Sequence, residues 1–278
     1  MIAGTQPCVA QPCLAAPITQ PSGSLPRRRC PLWRRLGIAV ALVLALLAAF
    51  AGYLGYFGGP VLTVIPAGSP TRGQPQAAAV VLSGDMGFNI GMAPQIARRL
   101  AARGIPVVGI NSLTFFRSRR TPGEVTDLLD AASRKALALR PGGRVILVGQ
   151  SFGADMLHLG VGGLAPELKR RVQLVALVVP TDTLLLRASP SELFDWWTPR
   201  AAARPSAARL VWAPALCIYG RDEHDSLCPL LRQPNLRKVE LPGGHPLHHD
   251  ADAVFAALWR AITRTAPTGD AAGLIPFR

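Results

Sequence analysis

Ser151, His245 and the carboxylates Asp222, Glu223 and Asp225 have the types and the chain order for nucleophilic catalysis. Ser151 is the centre of "GQSFG", residues 149–153, a G-x-S-x-G pentapeptide directly behind the apolar run "RVILV". A serine hydroxyl is a weak nucleophile at neutral pH. It needs a base beside it and an acid to orient that base. With a strand before it and a helix after it, the pentapeptide forms a sharp turn that lifts the hydroxyl off the sheet's carboxyl edge, where open parallel sheets bind ligands. Gly149 and Gly153 leave room for that turn. The helix behind it aims its N-terminus at the site, so the N–H of Phe152 is a candidate oxyanion donor.

The partners are expected downstream in the order acid, then histidine. "ALCIYGRDEHDSLCP" ends a strand at Gly220 and follows it at once with the carboxylates. Asp222 and Glu223 remain equal candidates for the acid, and Asp225 is a loop-bonding group. "RKVELPGGHPLHHD" ends another strand at Leu241 and carries His245 after a Gly-Gly turn. His248 and His249 read as surface or capping groups, and His158 and His224 as incidental. A second oxyanion donor is expected from the loop "LSGDMGFN" after the first strand. Gly84 and Gly87 allow close approach there, and the N–H of Met86 is the candidate. Asp85 in that loop and Asp155 in the first turn after Ser151 are candidate substrate-binding carboxylates. A turn-forming role for Asp85 and a helix-dipole role for Asp155 are the plainer alternatives. This chemistry calls for no cofactor and no metal, and no zinc-ligand spacing occurs.

The elements that must position these groups alternate. Short apolar runs beginning at "AAAVVLSG", "IPVVGINS", "RVILVGQ", "LVALVVP", "ALCIYG" and "RKVELP" read as buried strands. Helical stretches are expected at 91–103, 122–139, 152–161 and 251–264. That alternation predicts an α/β fold with a mostly parallel sheet flanked by helices. Residues 182–212 are the longest interruption and are expected to form a small cap.

Upstream, residues 1–35 are Pro/Gln/Ser-rich and end in "RRRCPLWRR", an expected disordered basic tail. Residues 36–57, "LGIAVALVLALLAAFAGYLGYF", carry no charge and suffice for one transmembrane helix. Arginines before it and none from 36 to 71 keep the N-terminus cytoplasmic and export the rest. A signal peptide cleaved at "AFA", residues 49–51, is the competing reading, and both put the domain in one compartment. Residues 58–76 read as a Gly/Pro-rich linker, 77–266 as the single catalytic domain and 267–278 as a tail. Cys217 and Cys228 form a disulfide candidate if the domain is exported. The net charge of +14, carried mostly by arginine, reflects a GC-rich genome or serves attraction to an anionic surface. No nucleic-acid-binding signature is present, so an anionic phospholipid membrane is the functional version. Arg98, Arg99, Arg103, Arg117, Arg119 and Arg120 are candidates for that face. Phe115, Phe116, Trp196 and Trp197 cover the pocket, dip into the membrane interface or pack in the core.

"SGDMGFN", "GQSFGAD", "CIYGRDEHDSLCP" and "LPGGHPLHHD", in that order, resemble the VirJ/AcvB family of bacterial virulence-type proteins over residues 77–263. The first loop departs from the family's "GDGGW" at Met86 and Phe88, and Pro246 follows His245. The resemblance implies an α/β-hydrolase domain in the periplasm, tethered to the inner membrane. It implies hydrolysis of the aminoacyl ester of aminoacyl-phosphatidylglycerol, a lipid ester substrate. A generic esterase or lipase and a non-catalytic periplasmic interaction factor are the alternatives.

Overall fold

The computed structural model describes residues 32–68, 76–188 and 201–266. The basic tail up to residue 31, the tail 267–278, part of the linker, and Trp196 and Trp197 lie outside those residues. In chain order the elements begin with α1 (Leu32–Leu54), β1 (Leu62–Ile65), β2 (Ala77–Leu82) and α2 (Met92–Ala102). Next come β3 (Val107–Ile110), α3 (Ser112–Phe116), α4 (Pro122–Leu139) and β4 (Arg144–Gln150). They are followed by α5 (Phe152–Gly160), α6 (Pro166–Lys169), β5 (Val172–Val178), β6 (Thr183–Leu184), β7 (Ala201–Ala202) and α7 (Arg204–Ala207). The chain closes with β8 (Ala215–Gly220), β9 (Leu236–Leu241) and α8 (Ala251–Thr265).

The main sheet has seven strands in the order β1-β3-β2-β4-β5-β8-β9. All neighbours pair parallel except β1, which runs antiparallel along β3 from Leu62 opposite Ile110 to Ile65 opposite Val107. Every residue of β2 and β5 is buried. That is why they read as unbroken apolar runs rather than alternating ones: helices cover both faces. One face packs α3, α4, α5 and α7 residues such as Leu113, Leu129, Leu157 and Ala207. The other packs α2 and α8 through Ile96, Leu100, Val254 and Leu258. Helix α4 starts where Thr121 and Glu124 cap each other's main chain, with Pro122 in the first turn.

The expected boundary at residue 77 is too late. Residues 58–76 are not a linker throughout, because Leu62–Ile65 form the edge strand β1. A compact unit already begins at Leu46, inside α1. The window Trp33–Leu54 of α1 is long and apolar enough to cross a membrane. Within the expected cap, β6 and β7 pair as a small antiparallel ribbon.

Candidate active site

Ser151 joins β4 to α5 with φ 54° and ψ −126°, a conformation that costs free energy for a residue with a side chain. Its surroundings enforce it. The Ser151 N–H donates to Val178 O at 2.8 Å on the next strand, and its carbonyl accepts from the Ala154 N–H at 2.7 Å. A Cβ on Gly149 would overlap the main chain of Gly153 and Ala154, and one on Gly153 would overlap the carbonyls of Leu82 and Ser83. Both glycines are therefore required by the close approach of strand, turn and helix.

The Ser151 Oγ lies 2.7 Å from His245 Nε2 across 94 residues of chain. His245 Nδ1 lies 2.5 Å from Glu223 Oε1. Glu223 Oε2 also accepts from the Gly220 N–H at 3.3 Å. The Glu223 side chain is 1% exposed, whereas that of His245 is 37% exposed, so the acid is sequestered and the imidazole faces the open site. A buried carboxylate at Nδ1 selects the Nδ1–H tautomer and leaves the Nε2 lone pair for the serine proton. The hydrogen bond that His245 donates to Glu223 holds the histidine pKa above its ordinary 6.5 against the opposing effect of burial, and the charges of Glu223, Asp225 and Asp85 add to it.

Of the two acids left open by the sequence, the structure joins Glu223 to His245 and leaves Asp222 out. Asp222 is exposed, and its main-chain N–H donates to Gly243 O at 3.0 Å. The chain turns tightly after β8, with the Glu223 N–H on Gly220 O at 3.2 Å. That turn brings the third residue past Gly220 inward and the second outward.

The Phe152 N–H opens α5, and Met86 sits in the turn closed by the Gly87 N–H on Gly84 O at 3.2 Å. Neither N–H has a protein acceptor among the described residues, as an oxyanion donor requires. The loop is rooted by Ser112, whose hydroxyl donates to Ser83 O at 2.6 Å and whose N–H donates to Ser83 Oγ at 3.0 Å. The sequence reading missed that serine pair, which only the β2–β3 pairing brings together. Asp85 is half-buried, and its charge acts on His245.

Asp155 is a correction. It is 4% exposed and accepts from the Thr181 N–H at 2.9 Å, with Thr181 Oγ1 at 2.8 Å, so it ties down the segment after β5 instead of meeting substrate. Burial raises its pKa well above the ordinary 3.8, against the hydrogen bonds from Thr181 that lower it. The Thr181 hydroxyl also lies 2.8 Å from Thr183 O. One turn on, burial pulls His158 down to about 3, and its Nδ1 meets Ser206 Oγ at 3.0 Å. Cys217 and Cys228 are joined as a disulfide with Cα atoms 5.7 Å apart. Phe116 is fully buried, packed edge-on against Phe152 at 5.1 Å, so core packing accounts for it.

A Ser–His–carboxylate chain at the carboxyl edge of a parallel sheet, with the serine on a strand-to-helix turn, defines the class: this is an α/β-hydrolase fold. The model of the bacterial virulence protein VirJ matches residues 76–266, and the chain belongs to that family. No curated protein sequence matches it. Among solved structures, Est1E from Butyrivibrio proteoclasticus superposes with a TM-score of 0.52 at 14% identity, covering 73% of this chain and 94% of that one. XC6422 from Xanthomonas campestris, described as an α/β serine hydrolase without a lid, has a TM-score of 0.51 at 21% identity, covering 76% and 93%. MenH from S. aureus has a TM-score of 0.52 at 11% identity, covering 74% and 99%. At these identities the likeness is one of fold.

Proposed function

We propose that the protein is a serine ester hydrolase, anchored in the bacterial inner membrane with its catalytic domain in the periplasm. Its substrate is the aminoacyl ester of lysyl- or alanyl-phosphatidylglycerol. The observation that carries the reading is the continuous Ser151–His245–Glu223 relay. Ser151 Oγ attacks the ester carbonyl as its proton passes to His245 Nε2. The oxyanion is held by the N–H groups of Phe152 and Met86. The ester C–O bond then breaks, and the glycerol oxygen of the lipid leaves with the proton from His245. Water, deprotonated by the same imidazole, cleaves the acyl-enzyme and frees the amino acid.

Several features support the finer reading. Asp85 and Asp225 put negative charge beside His245 in a chain of net charge +14, which suits the ammonium of an aminoacyl group. An apolar helix in α1 and a disulfide fit an exported, membrane-bound protein, and family membership points the same way. Exposed Arg117 and Arg119 are available to phosphate headgroups, whereas Arg99 pairs with Asp252 at 2.7 Å and Arg120 with Glu124 at 2.9 Å.

A fluorophosphonate probe tests the core of this reading, since only an activated serine reacts. The wild type is expected to label and to hydrolyse lysyl- or alanyl-phosphatidylglycerol faster than p-nitrophenyl esters, and Ser151→Ala to do neither while staying folded. Full activity in Ser151→Ala would end the proposal. Equal turnover of all esters would reduce it to a general esterase.

A further inference from the structure

A helix leaves its last carbonyls without partners inside the helix, and each must find a donor. The accounting for α1 is complete and unusual. The Tyr56 N–H returns to Ala51 O at 3.0 Å and the Gly55 N–H to Gly52 O at 3.0 Å. Gly55 lies at φ +97°, so the end is a glycine-terminated Schellman turn. The last helix carbonyls that remain, of Tyr53 and Leu54, are taken by side chains of the hydrolase body, and Gly55 O, already bonded by the Gly58 N–H at 3.2 Å, takes a further side-chain donor. Asn89 Nδ2 donates to Tyr53 O, Asn111 Nδ2 donates to Leu54 O at 3.2 Å, and Thr114 Oγ1 donates to Gly55 O at 3.1 Å. Leu54 itself is 3% exposed and packs in the core beside Leu113 and Phe116.

The donors are not scattered. Asn89 ends the loop that carries Met86. Asn111 follows β3 and uses every polar group it has. Its N–H donates to Val61 O at 2.9 Å, its Oδ1 accepts from the Thr114 N–H at 3.2 Å, and its Nδ2 takes the helix. Gly87, next to Met86 and at φ +80°, runs so close that a Cβ there would sit 2.5 Å from Leu54 O and 2.9 Å from Asn111 Oδ1. The loop with the candidate oxyanion N–H is thus wedged between the end of α1 and Asn111. Its other root is the Ser83–Ser112 pair.

We propose that the carboxyl end of α1 is a positioning element of the active site. Seated on Asn89, Asn111 and Thr114, it holds loop 84–89 so that the Met86 N–H points at the developing oxyanion. A flexible tether would only keep the enzyme near the bilayer. A seated helix end makes turnover depend on the end of α1 itself. The consequence for turnover rests on the hydrolase reading above; the seating does not.

The test uses the full chain in phospholipid nanodiscs with a small soluble ester, p-nitrophenyl acetate, so that lipid presentation plays no part. Asn111→Asp keeps the cap on Thr114 and replaces the donor to Leu54 O with a carboxylate oxygen that repels it. Thr114→Val removes the donor to Gly55, and Asn89→Ala, at an exposed position, removes the donor to Tyr53. Combined, they are expected to lower kcat at least about tenfold, within the roughly 10²-fold that a misplacement of about 1 Å brings. KM should stay as in the wild type; Tm should fall, because buried carbonyls lose their donors, so kcat is compared at a temperature where every variant is folded. Amide hydrogen exchange across residues 84–89 should speed up in the same variants, a readout independent of activity. Unchanged exchange overturns the inference, as does turnover that falls only with Tm. Faster exchange in a protein whose wild type neither labels nor turns over would leave the seated helix standing and sink the hydrolase reading instead.

Discussion

His245 bridges a sequestered carboxylate and an open hydroxyl, and the asymmetry sets its behaviour. Hydrogen bonding to Glu223 favours the imidazolium, so the base form appears only above the ordinary 6.5 of histidine. The acidic limb of kcat/KM against pH reports the base of the free enzyme. It is therefore expected above 6.5, with activity rising as pH rises through it. Glu223→Gln removes the largest cause, so the limb should move to lower pH. kcat should fall by about 10⁴, the loss seen when a triad acid becomes its amide and the tautomer is wrong. Asp222→Asn should leave both within about twofold, since surface changes away from partners are nearly neutral. Swapped outcomes would return the acid's role to Asp222.

At the scale of elements, the site is an agreement among strand ends. Ser151 follows β4, Glu223 follows β8 and His245 follows β9, so the β8–β9 pairing brings acid and base to one edge. Gly220 at the end of β8 admits no Cβ, because the Gly243 and Gly244 carbonyls press against it. The disulfide closes the acid-bearing loop by tying Cys217 inside β8 to Cys228 just beyond Glu223. Cross-linking a loop of that size restricts the unfolded chain. Cys217→Ala with Cys228→Ser is expected to lose about 3 kcal/mol by urea denaturation. The same loss should appear when the wild type is reduced, and no loss would mean the bridge does not form in the native protein.

For the molecule as a whole, the charge of +14 and the apolar helix make one argument about where it works. Arg98, Arg103, Arg117 and Arg119 are all exposed, and Arg103 stacks over the Trp259 ring at 4.8 Å. Arg117 lies beside Gly58, a few residues beyond the end of α1. A basic residue near an anionic leaflet contributes about 1 kcal/mol. Arg117→Gln with Arg119→Gln should therefore weaken hydrolysis of lipid ester in anionic vesicles by about 30-fold, the equivalent of about 2 kcal/mol. Turnover of a soluble ester should be unchanged, and the vesicle defect should vanish near 0.5 M salt, where screening is nearly complete. A defect that persists at high salt would point away from headgroup attraction.

The strands, the elbow glycines and the Ser–acid–His order were legible in the sequence because each is local: a run of apolar residues, a pentapeptide, a glycine at a strand end; the expectation of burial failed for β9, an edge strand with no buried residue. β4, β8 and α4 fall on the expected residues for that reason. The choice of Glu223 over Asp222, the diversion of Asp155 to Thr181, and the seating of α1 on Asn89, Asn111 and Thr114 were not legible. Each depends on which polar group a distant segment leaves unsatisfied, and adjacent carboxylates or scattered asparagines carry no local sign of that. Composition and periodicity determined which surfaces must be buried. Only the packed chain decided which donors and acceptors met, because a buried hydrogen bond is selected by geometry across the whole fold.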